Sequence, residues 1–143
     1  MPANPDLVSL ARLAAAQHSL DSALVCAIVE QESSWDPYAI RYEPAFRTRY
    51  VSPLGLPATE EVARSISWGL MQVMGQVARE NGFAGKSLAE LCDPATGLEI
   101  GCRIFASKLS TAAGDVPRAL KRWNGGANSD YATQVLSRIA NYR

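Results

Sequence analysis

The sequence lacks the features of a membrane-spanning protein and of a nucleic-acid-binding protein. Its longest uninterrupted apolar run is Ala23–Val29, well short of the ~20 residues that cross a bilayer. Its 14 Lys and Arg residues balance its 14 Asp and Glu residues, so no net positive charge draws it to nucleic acid or anionic lipid. The first residues also lack the basic stretch and continuous apolar segment of a signal peptide, and we expect none.

Patterns for metal binding and disulfide bonds are missing as well. The chain has three cysteines and one histidine, with no Cys-x-x-Cys pair, so we expect no metal site and no cofactor. Cys92 and Cys102 are ten residues apart, and the second is predicted to lie inside a helix. Ten helical residues span ~15 Å, which is beyond the reach of a disulfide. The cysteines are therefore predicted to be unpaired.

What the chain does have is the length and apolar content for one hydrophobic core. It has 143 residues, of which 48% are hydrophobic, as is typical of a single globular domain. Apolar residues recur at helical spacing, and no segment alternates convincingly with a period of two, so an all-α fold of about seven to eight helices is predicted. The main predicted helices span 5–17, 22–34, 68 or 69 to 82, 93–110, 115–123 and 130–142, with a short one from 59.

A long segment without regular periodicity, residues 38–59, interrupts the predicted helices. It contains three prolines, a glycine and four tyrosine or phenylalanine rings. Connections of this length are usually functional or disordered, and the aromatic rings favour packing over disorder. We therefore predict an ordered insertion within one domain spanning residues 1–143, where it would form a wall or lid over a cleft.

One acidic residue falls on an apolar helix face. On a helical wheel, Glu32 lies in the middle of the apolar face set by the residues between Leu24 and Val29, whereas Glu30 lies on the opposite side. A buried carboxylate is costly unless it is paired or protonated, and a carboxyl that keeps its proton near neutral pH can serve as a general acid. Alternatively, Glu32 turns to solvent or pairs with an arginine of residues 41–49.

Two further segments have compositions that suit a sugar cleft. Gly69-Leu70-Met71-Gln72 is predicted to open a helix, where glycine allows close backbone approach and Gln72 offers both a donor and an acceptor. The segment 122–126 ends a helix with Trp123 and Asn124, and indole rings stack on the CH faces of sugars while amides pair with hydroxyl groups. The alternative is that both segments are ordinary glycine caps with core side chains beside them.

Together these segments resemble the lytic transglycosylase domain of the soluble (SLT) type, within the lysozyme-like superfamily. The first motif of that family is a helix that ends in Glu-Ser, followed by an aromatic residue and Asn/Asp-Pro, and residues 27–37 match it closely. Its second motif, Gly-Leu-Met-Gln, is intact at 69–72. Its third, Ala-Tyr-Asn followed by glycine, is similar to 122–125, and Tyr131 matches a tyrosine that commonly follows. The resemblance covers about residues 7–142.

The resemblance implies a lysozyme-like fold around a substrate cleft and cleavage of the β-1,4 bond between N-acetylmuramic acid and N-acetylglucosamine in peptidoglycan. Glu32 aligns with the family's single catalytic glutamate, which protonates the leaving oxygen and then takes the proton of the muramyl C6 hydroxyl to close a 1,6-anhydro ring. The positions implied to bind substrate are Ser33, Met71, Gln72, Trp123, Asn124 and Tyr131. We expect a monomer that acts on bacterial cell-wall glycan strands, in the periplasm or outside the cell, and a phage enzyme is one setting that fits.

Two departures from the family pattern matter. Trp123 stands where the family has tyrosine, and an indole N–H donates but cannot accept. About 31 residues separate the first two motifs, where the family has a short segment. Within this longer stretch, either Ser65 or Ser67 could take the place of the family's cleft serine.

The insertion keeps a second enzymatic reading open. An inverting muramidase needs a second carboxylate ~6.5–9.5 Å from the acid to activate water, and Glu43 is the foremost candidate. A salt bridge from Glu43 to Arg41 or Arg47 is the alternative for that side chain. A non-catalytic glycan-binding module is a third reading, although it would not need to retain an acid at position 32.

Overall fold

The computed structural model describes residues 3–143, and this part of the chain is mostly α-helical. Its α-helices are α1 (Pro5–Gln17), α2 (Ser22–Ser33), α3 (Pro44–Phe46), α4 (Ala58–Arg64), α5 (Gly75–Glu80), α6 (Pro94–Thr111), α7 (Val116–Asn124) and α8 (Tyr131–Arg138). A π-helical turn spans Arg47–Val51, and 3₁₀ turns span Ser52–Leu54, Leu88–Cys92 and Ile139–Tyr142. The strands are β1 (Ile40–Tyr42), β2 (Ile66–Trp68) and β3 (Val73–Met74).

The long helices begin where the sequence predicts them because their N-caps are strong. Asp21 accepts a hydrogen bond from the backbone N–H of Ala23 at 3.0 Å, and Asp93 accepts one from Thr96 at 3.0 Å. Asp115 caps α7 in the same way. Each side chain satisfies a backbone donor that has no partner inside the helix. The mostly α-helical prediction is confirmed, and these helix bounds agree with it to within about one residue.

The small antiparallel sheet, whose strand order is β1-β2-β3, is not predicted from the sequence pattern. Its strands have three, three and two residues, too few to show a period-two pattern. The helix predicted to start at residue 68 or 69 is therefore wrong at its beginning. Residues 69–72 form a turn in which the Gln72 N–H donates to the Gly69 carbonyl at 3.1 Å, and α5 starts only at Gly75.

Helix α2 is the centre of the core. Every residue from Ala23 to Val29 is buried, because α1, α8 and the final 3₁₀ turn all pack against this helix. A helix that is apolar all round is typical of such a central position. Apart from Ser22 at its start, only its last turn, from Glu30 to Ser33, is partly accessible to solvent, and that turn carries the predicted acid.

Segment 38–59 is fixed to the domain mainly by its backbone and by ion pairs. Strand β1 pairs with β2, the N–H of Glu43 donates to the Ser65 carbonyl at 2.9 Å, and Arg47 pairs with Glu61. Its aromatic rings contribute less burial than we predicted, since Tyr38 is 78% exposed and Tyr50 is 50% exposed. The segment thus holds its shape through strand pairing and charge rather than through an aromatic core.

The cysteines are unpaired, as predicted. Cys26 and Cys102 are fully buried in the core, and this burial raises their pKa values to about 11 and about 12. No helix within residues 3–143 combines the length and apolar content needed to cross a bilayer. The same residues contain no cluster of three or more side chains placed to hold a metal ion.

Candidate active site

The chain turns sharply just after the predicted acid. Ser34 and Trp35 both adopt the left-handed conformation, with φ of 51° and 66°, which costs a non-glycine residue of order 1 kcal/mol or more. The Trp35 side chain is buried, and its indole N–H donates to the Tyr142 hydroxyl at 2.8 Å. This anchoring fixes the end of α2 and so fixes the direction in which Glu32 points.

The carboxyl group of Glu32 is held by two neutral donors. Its Oε2 accepts a hydrogen bond from the Tyr131 hydroxyl at 2.6 Å and one from the Trp123 indole N–H at 3.1 Å. Trp123 ends α7 with its ring edge-on to Phe105, at a centroid distance of 5.7 Å, and Tyr131 begins α8. The site is therefore assembled from α2, α7 and α8.

Burial sets the acidity of this carboxyl. Desolvation raises the pKa of Glu32 above its ordinary value, and the hydrogen bonds from Tyr131 and Trp123 and the positive charge of Arg41 only partly oppose that effect. Burial and the adjacent carboxyl also raise the pKa of Tyr131 far above its ordinary value, so this phenol remains a donor. The alternative in which Glu32 pairs with an arginine is wrong, since its hydrogen-bond donors in the described residues are neutral.

The second oxygen of Glu32 has a different environment. Both hydrogen bonds found on Glu32 end on Oε2, and none is found on Oε1. Within residues 3–143, every fully buried side-chain nitrogen or oxygen has a hydrogen-bond partner. Because Oε1 has no partner, it is not fully buried and is accessible to solvent. Because Oε2 already accepts two hydrogens, the proton of the acid form lies on Oε1. The acidic proton of Glu32 thus faces outward, where a substrate oxygen could take it.

The Gly-Leu-Met-Gln turn supports the end of α2 from behind. The hydroxyl of Ser33 lies 2.8 Å from the Leu70 carbonyl and 3.1 Å from the Val29 carbonyl. Met71 is fully buried and packs on Gly101 of α6, where an added Cβ would collide with its sulfur. The resemblance implies that Met71 binds substrate, whereas in the structure its side chain fills the core.

Gln72 ties the turn to the small sheet. Its amide nitrogen donates to the Ala39 carbonyl at 2.9 Å and to the Gly69 carbonyl at 3.0 Å, and its amide oxygen accepts from the Ser67 hydroxyl at 2.9 Å. Ser65 instead donates to the Glu61 carbonyl within α4. Of the two candidate serines, Ser67 is the one joined to the second motif.

The remaining predicted residues are more exposed. Asn124 lies in the last turn of α7, with its amide nitrogen 3.3 Å from the Asn128 carbonyl. Glu43 forms the expected salt bridge with Arg41, at 3.1 Å between Oε1 and Nε. The structure thus brings Trp123 and Tyr131 into direct contact with Glu32, places Ser33 and Gln72 in the supporting scaffold, and leaves Asn124 at the surface.

The surroundings of Glu30 are not predicted by the sequence pattern. This side chain accepts hydrogen bonds from Arg138 and, at 2.7 Å, from the Tyr142 hydroxyl, which also receives the Trp35 indole N–H. These contacts join the last turns of the chain to the end of α2. The sequence signal for these contacts was a basic residue in the last predicted helix. A basic residue alone does not indicate which acidic residue it pairs with.

A surface cavity of about 420 Å³ lies elsewhere, between α4 and β2. Its walls are formed by Ala58, Thr59, Val62, Ala63, Ile66 and Trp68. None of these side chains is an acid or a base, so the cavity cannot supply proton transfer.

A mostly α-helical domain with one largely buried glutamate at the end of its central helix belongs to the lysozyme-like class. Within that class, the chain belongs to the family described as "Transglycosylase SLT domain", whose sequence model matches residues 9–138. The predicted family is confirmed.

The curated relatives are longer proteins. The chain is 28% identical over 135 residues to "Membrane-bound lytic murein transglycosylase C" of Edwardsiella ictaluri, covering 85% of this chain and 32% of that protein. It is 29% identical over 133 residues to the protein of the same name from Yersinia pestis, covering 84% of this chain and 31% of the relative. The chain thus spans about a third of the length of these relatives. No solved structure matches it significantly.

Proposed function

We propose that this domain is a peptidoglycan lytic transglycosylase in which Glu32 alone acts first as acid and then as base. The observation that carries the proposal is the asymmetry of the Glu32 carboxyl, with two donors on Oε2 and an outward-facing Oε1. The lytic murein transglycosylases among the relatives support the same activity. The substrate would be the glycan strand of the bacterial cell wall, cleaved between N-acetylmuramic acid and N-acetylglucosamine.

In the first step, the acid form of Glu32 donates its Oε1 proton to the glycosidic oxygen. The bond from that oxygen to the muramyl C1 breaks, and the N-acetylglucosamine side leaves with a new hydroxyl group. Positive charge develops at C1, and Glu32 becomes a carboxylate. The donors on Oε2, Tyr131 and Trp123, stabilise this negative charge as it forms.

In the second step, the Glu32 carboxylate accepts the proton of the muramyl C6 hydroxyl. The C6 oxygen then bonds to C1 and closes the 1,6-anhydro ring, which restores the acid form of Glu32. The nucleophile already belongs to the same sugar, so proximity replaces a captured water molecule. No second carboxylate is needed, and no water is consumed.

The opposing influences on Glu32 suit both steps. Burial favours the protonated form that the first step requires, while Tyr131 and Trp123 limit the penalty of the ionised form that the second step requires. Tryptophan in place of the family's tyrosine is compatible with this role, because the contact to Oε2 needs only a donor. We place the sugar beside Oε1, with Trp123 and Asn124 on the α7 side and segment 38–59 as the opposite wall.

A hydrolytic muramidase is the second candidate, and Glu43 is the carboxylate that would act as its base. Glu43 pairs with Arg41, whose charge also acts on Glu32. A base that activates water must be free to hold that water, whereas Glu43 is engaged in an ion pair. We therefore propose that Glu43 is dispensable for turnover.

Digestion of purified peptidoglycan, followed by mass analysis of the muropeptides, tests the proposal. Anhydromuramyl ends are about 18 Da, one water, lighter than hydrolysed ends, because the C6 hydroxyl replaces water as the nucleophile. We expect anhydro products from the wild type and from Glu43→Gln, with Glu61→Gln as a control that also removes an ion pair of the insertion. Hydrated reducing ends, together with loss of turnover in a folded Glu43→Gln protein, would establish the muramidase instead.

A further inference from the structure

Arg41 lies on the face of the small sheet that is turned toward the active site. It is paired in register with Ser67, and paired residues of antiparallel strands project their side chains from the same face. The Ser67 hydroxyl binds Gln72 of the Gly-Leu-Met-Gln turn, so this face is the site face. Ile40 and Tyr42 project from the other face because side chains alternate along a strand.

The effect of Arg41 on Glu32 agrees with this placement, because its positive charge opposes the rise in the pKa of that carboxyl. Its side chain is 76% exposed, and its Nε lies 3.1 Å from Glu43 Oε1. Within residues 3–143, no hydrogen bond from the Arg41 guanidinium to another side chain is found, and its ion-pair partner is Glu43. Arg41 thus has hydrogen-bond donors that face solvent.

Other arginines near the sheet are already engaged in ion pairs. Arg47 pairs with Glu61, and Arg64 and Arg79 both pair with Glu60. Each of these three side chains is at most 32% exposed. Their donors are used to hold segment 38–59, α4 and α5 in place. Arg41 differs from them in having unused donors beside the site.

We propose that Arg41 is a specificity-determining residue that binds a carboxylate carried by the muramyl side of the glycan. The proposal rests on the proposed function, since it requires the glycan strand to lie over Glu32. A guanidinium suits this task because its planar fork matches the two oxygens of a carboxylate. The carboxylate has two sources: the free lactyl group of a peptide-free muramyl residue, or the stem peptide when the lactyl group is amide-bonded to it.

Binding to a catalytically inactive protein tests this inference separately from turnover. In a Glu32→Gln background, affinities would be measured for three probes: peptide-free glycan strands, peptide-bearing strands and a chitooligosaccharide, which has no carboxylate. We expect Arg41→Gln to weaken binding of the carboxylate-bearing strands about tenfold and to leave the chitooligosaccharide affinity unchanged. The strand type that shows the loss identifies the source of the carboxylate.

Arg49→Gln is the matched control. Arg49 is an exposed arginine of the same segment, with its guanidinium 5.1 Å from the centre of the Tyr50 ring, and its replacement removes the same charge. We expect it to leave all three affinities unchanged. Equal losses for Arg41→Gln and Arg49→Gln, an equal loss for the chitooligosaccharide, or no loss at all would overturn the inference. Failure of the wild type to cleave peptidoglycan would refute the proposed function without altering these binding results.

Discussion

Two glutamates at the end of α2, two residues apart, have opposite environments. Glu30 accepts hydrogen bonds from Arg138 and Tyr142, and although burial acts to raise its pKa, these contacts lower it below its ordinary value. Glu32 accepts from Tyr131 and Trp123, neither of which carries a charge, and burial raises its pKa. The cationic partner thus favours the ionised form of Glu30, whereas burial with only neutral donors favours the protonated form of Glu32.

Burial and the charge of the hydrogen-bond partners together set the pKa values of these two carboxyl groups. Both accept a phenol hydrogen bond shorter than 2.8 Å. They differ in burial, which is much deeper for Glu32, and in the charge of the second partner, which is a guanidinium for Glu30 and an indole for Glu32. Neutral donors orient a carboxyl without forcing it to ionise.

The largest expected effect is on turnover when Glu32 becomes glutamine. Glu32→Gln keeps the shape and can still accept both hydrogen bonds through its amide oxygen, but it has no acidic proton to donate. We expect activity on peptidoglycan to fall at least ~10²-fold, the scale of general acid–base catalysis, with an unchanged circular dichroism spectrum. Glu30→Gln is the matched control and should retain most of the turnover. A Glu32→Gln protein with a third of wild-type activity would remove Glu32 from the mechanism.

A smaller effect is expected when the phenol on Oε2 is removed. Tyr131→Phe takes away a donor that lowers the pKa of Glu32, so that pKa should rise further. Because the first step needs the protonated acid, the alkaline limb of the kcat profile should move to higher pH. Turnover should also fall about tenfold, since the developing carboxylate loses a hydrogen bond to a charged group.

Tyr142→Phe removes the equivalent phenol from Glu30 and serves as the comparison for that profile. It should leave the alkaline limb of kcat where it is in the wild type. If both variants shift the limb equally, the titrating group is not Glu32.

Much of this site was predictable because it depends on local periodicity. The apolar run Ala23–Val29 places Glu32 on a buried face, and the three short motifs mark the elements around it. The caps at Asp21, Asp93 and Asp115 fixed the starts of the helices. Features that depend on residues close together in the chain were therefore predicted correctly.

Features that depend on contacts between residues far apart in the chain were not predicted. The pairing of β1 with β2 depends on contacts such as Arg41 opposite Ser67, and a strand of three residues has no period of its own. The same holds for Glu30, whose partners lie 108 and 112 residues further along the chain. Met71 was expected to bind substrate but lies in the core, because methionine is suited both to a flexible binding surface and to an irregular core position.

The contrast between the two glutamates should also appear in stability. Glu30→Gln removes the ion pair with Arg138 and should lower the free energy of unfolding at pH 7 by about 1.5 kcal/mol. This is the lower end of the range for hydrogen bonds to charged groups, because the Arg138 side chain is partly exposed. Since the pKa of Glu30 is lowered in the folded state, its contribution is present above the ordinary pKa of about 4.3 and is lost as pH falls. Urea unfolding at pH 7 and pH 3 should show the difference between variant and wild type shrinking at the lower pH.

Glu32→Gln should have the opposite and smallest effect on stability. Below the ordinary glutamate pKa of about 4.3, Glu32 is neutral in both the folded and the unfolded chain, and glutamine reproduces its hydrogen bonds to Tyr131 and Trp123. As the pH rises, the unfolded wild type ionises first, because the pKa of Glu32 is raised in the folded state. The folded wild type therefore loses stability through this interval, up to its own raised pKa, and glutamine does not.

The expected result is a melting temperature for Glu32→Gln that equals that of the wild type near pH 4 and exceeds it by a few degrees at pH 7. Every other titrating group is common to both proteins, so the difference between the two curves isolates position 32. A difference that shrinks as the pH rises would mean that the folded protein stabilises the ionised carboxyl, as it does for Glu30. Glu32 would then be an anion at neutral pH, and the acid of the first step would have to be sought elsewhere.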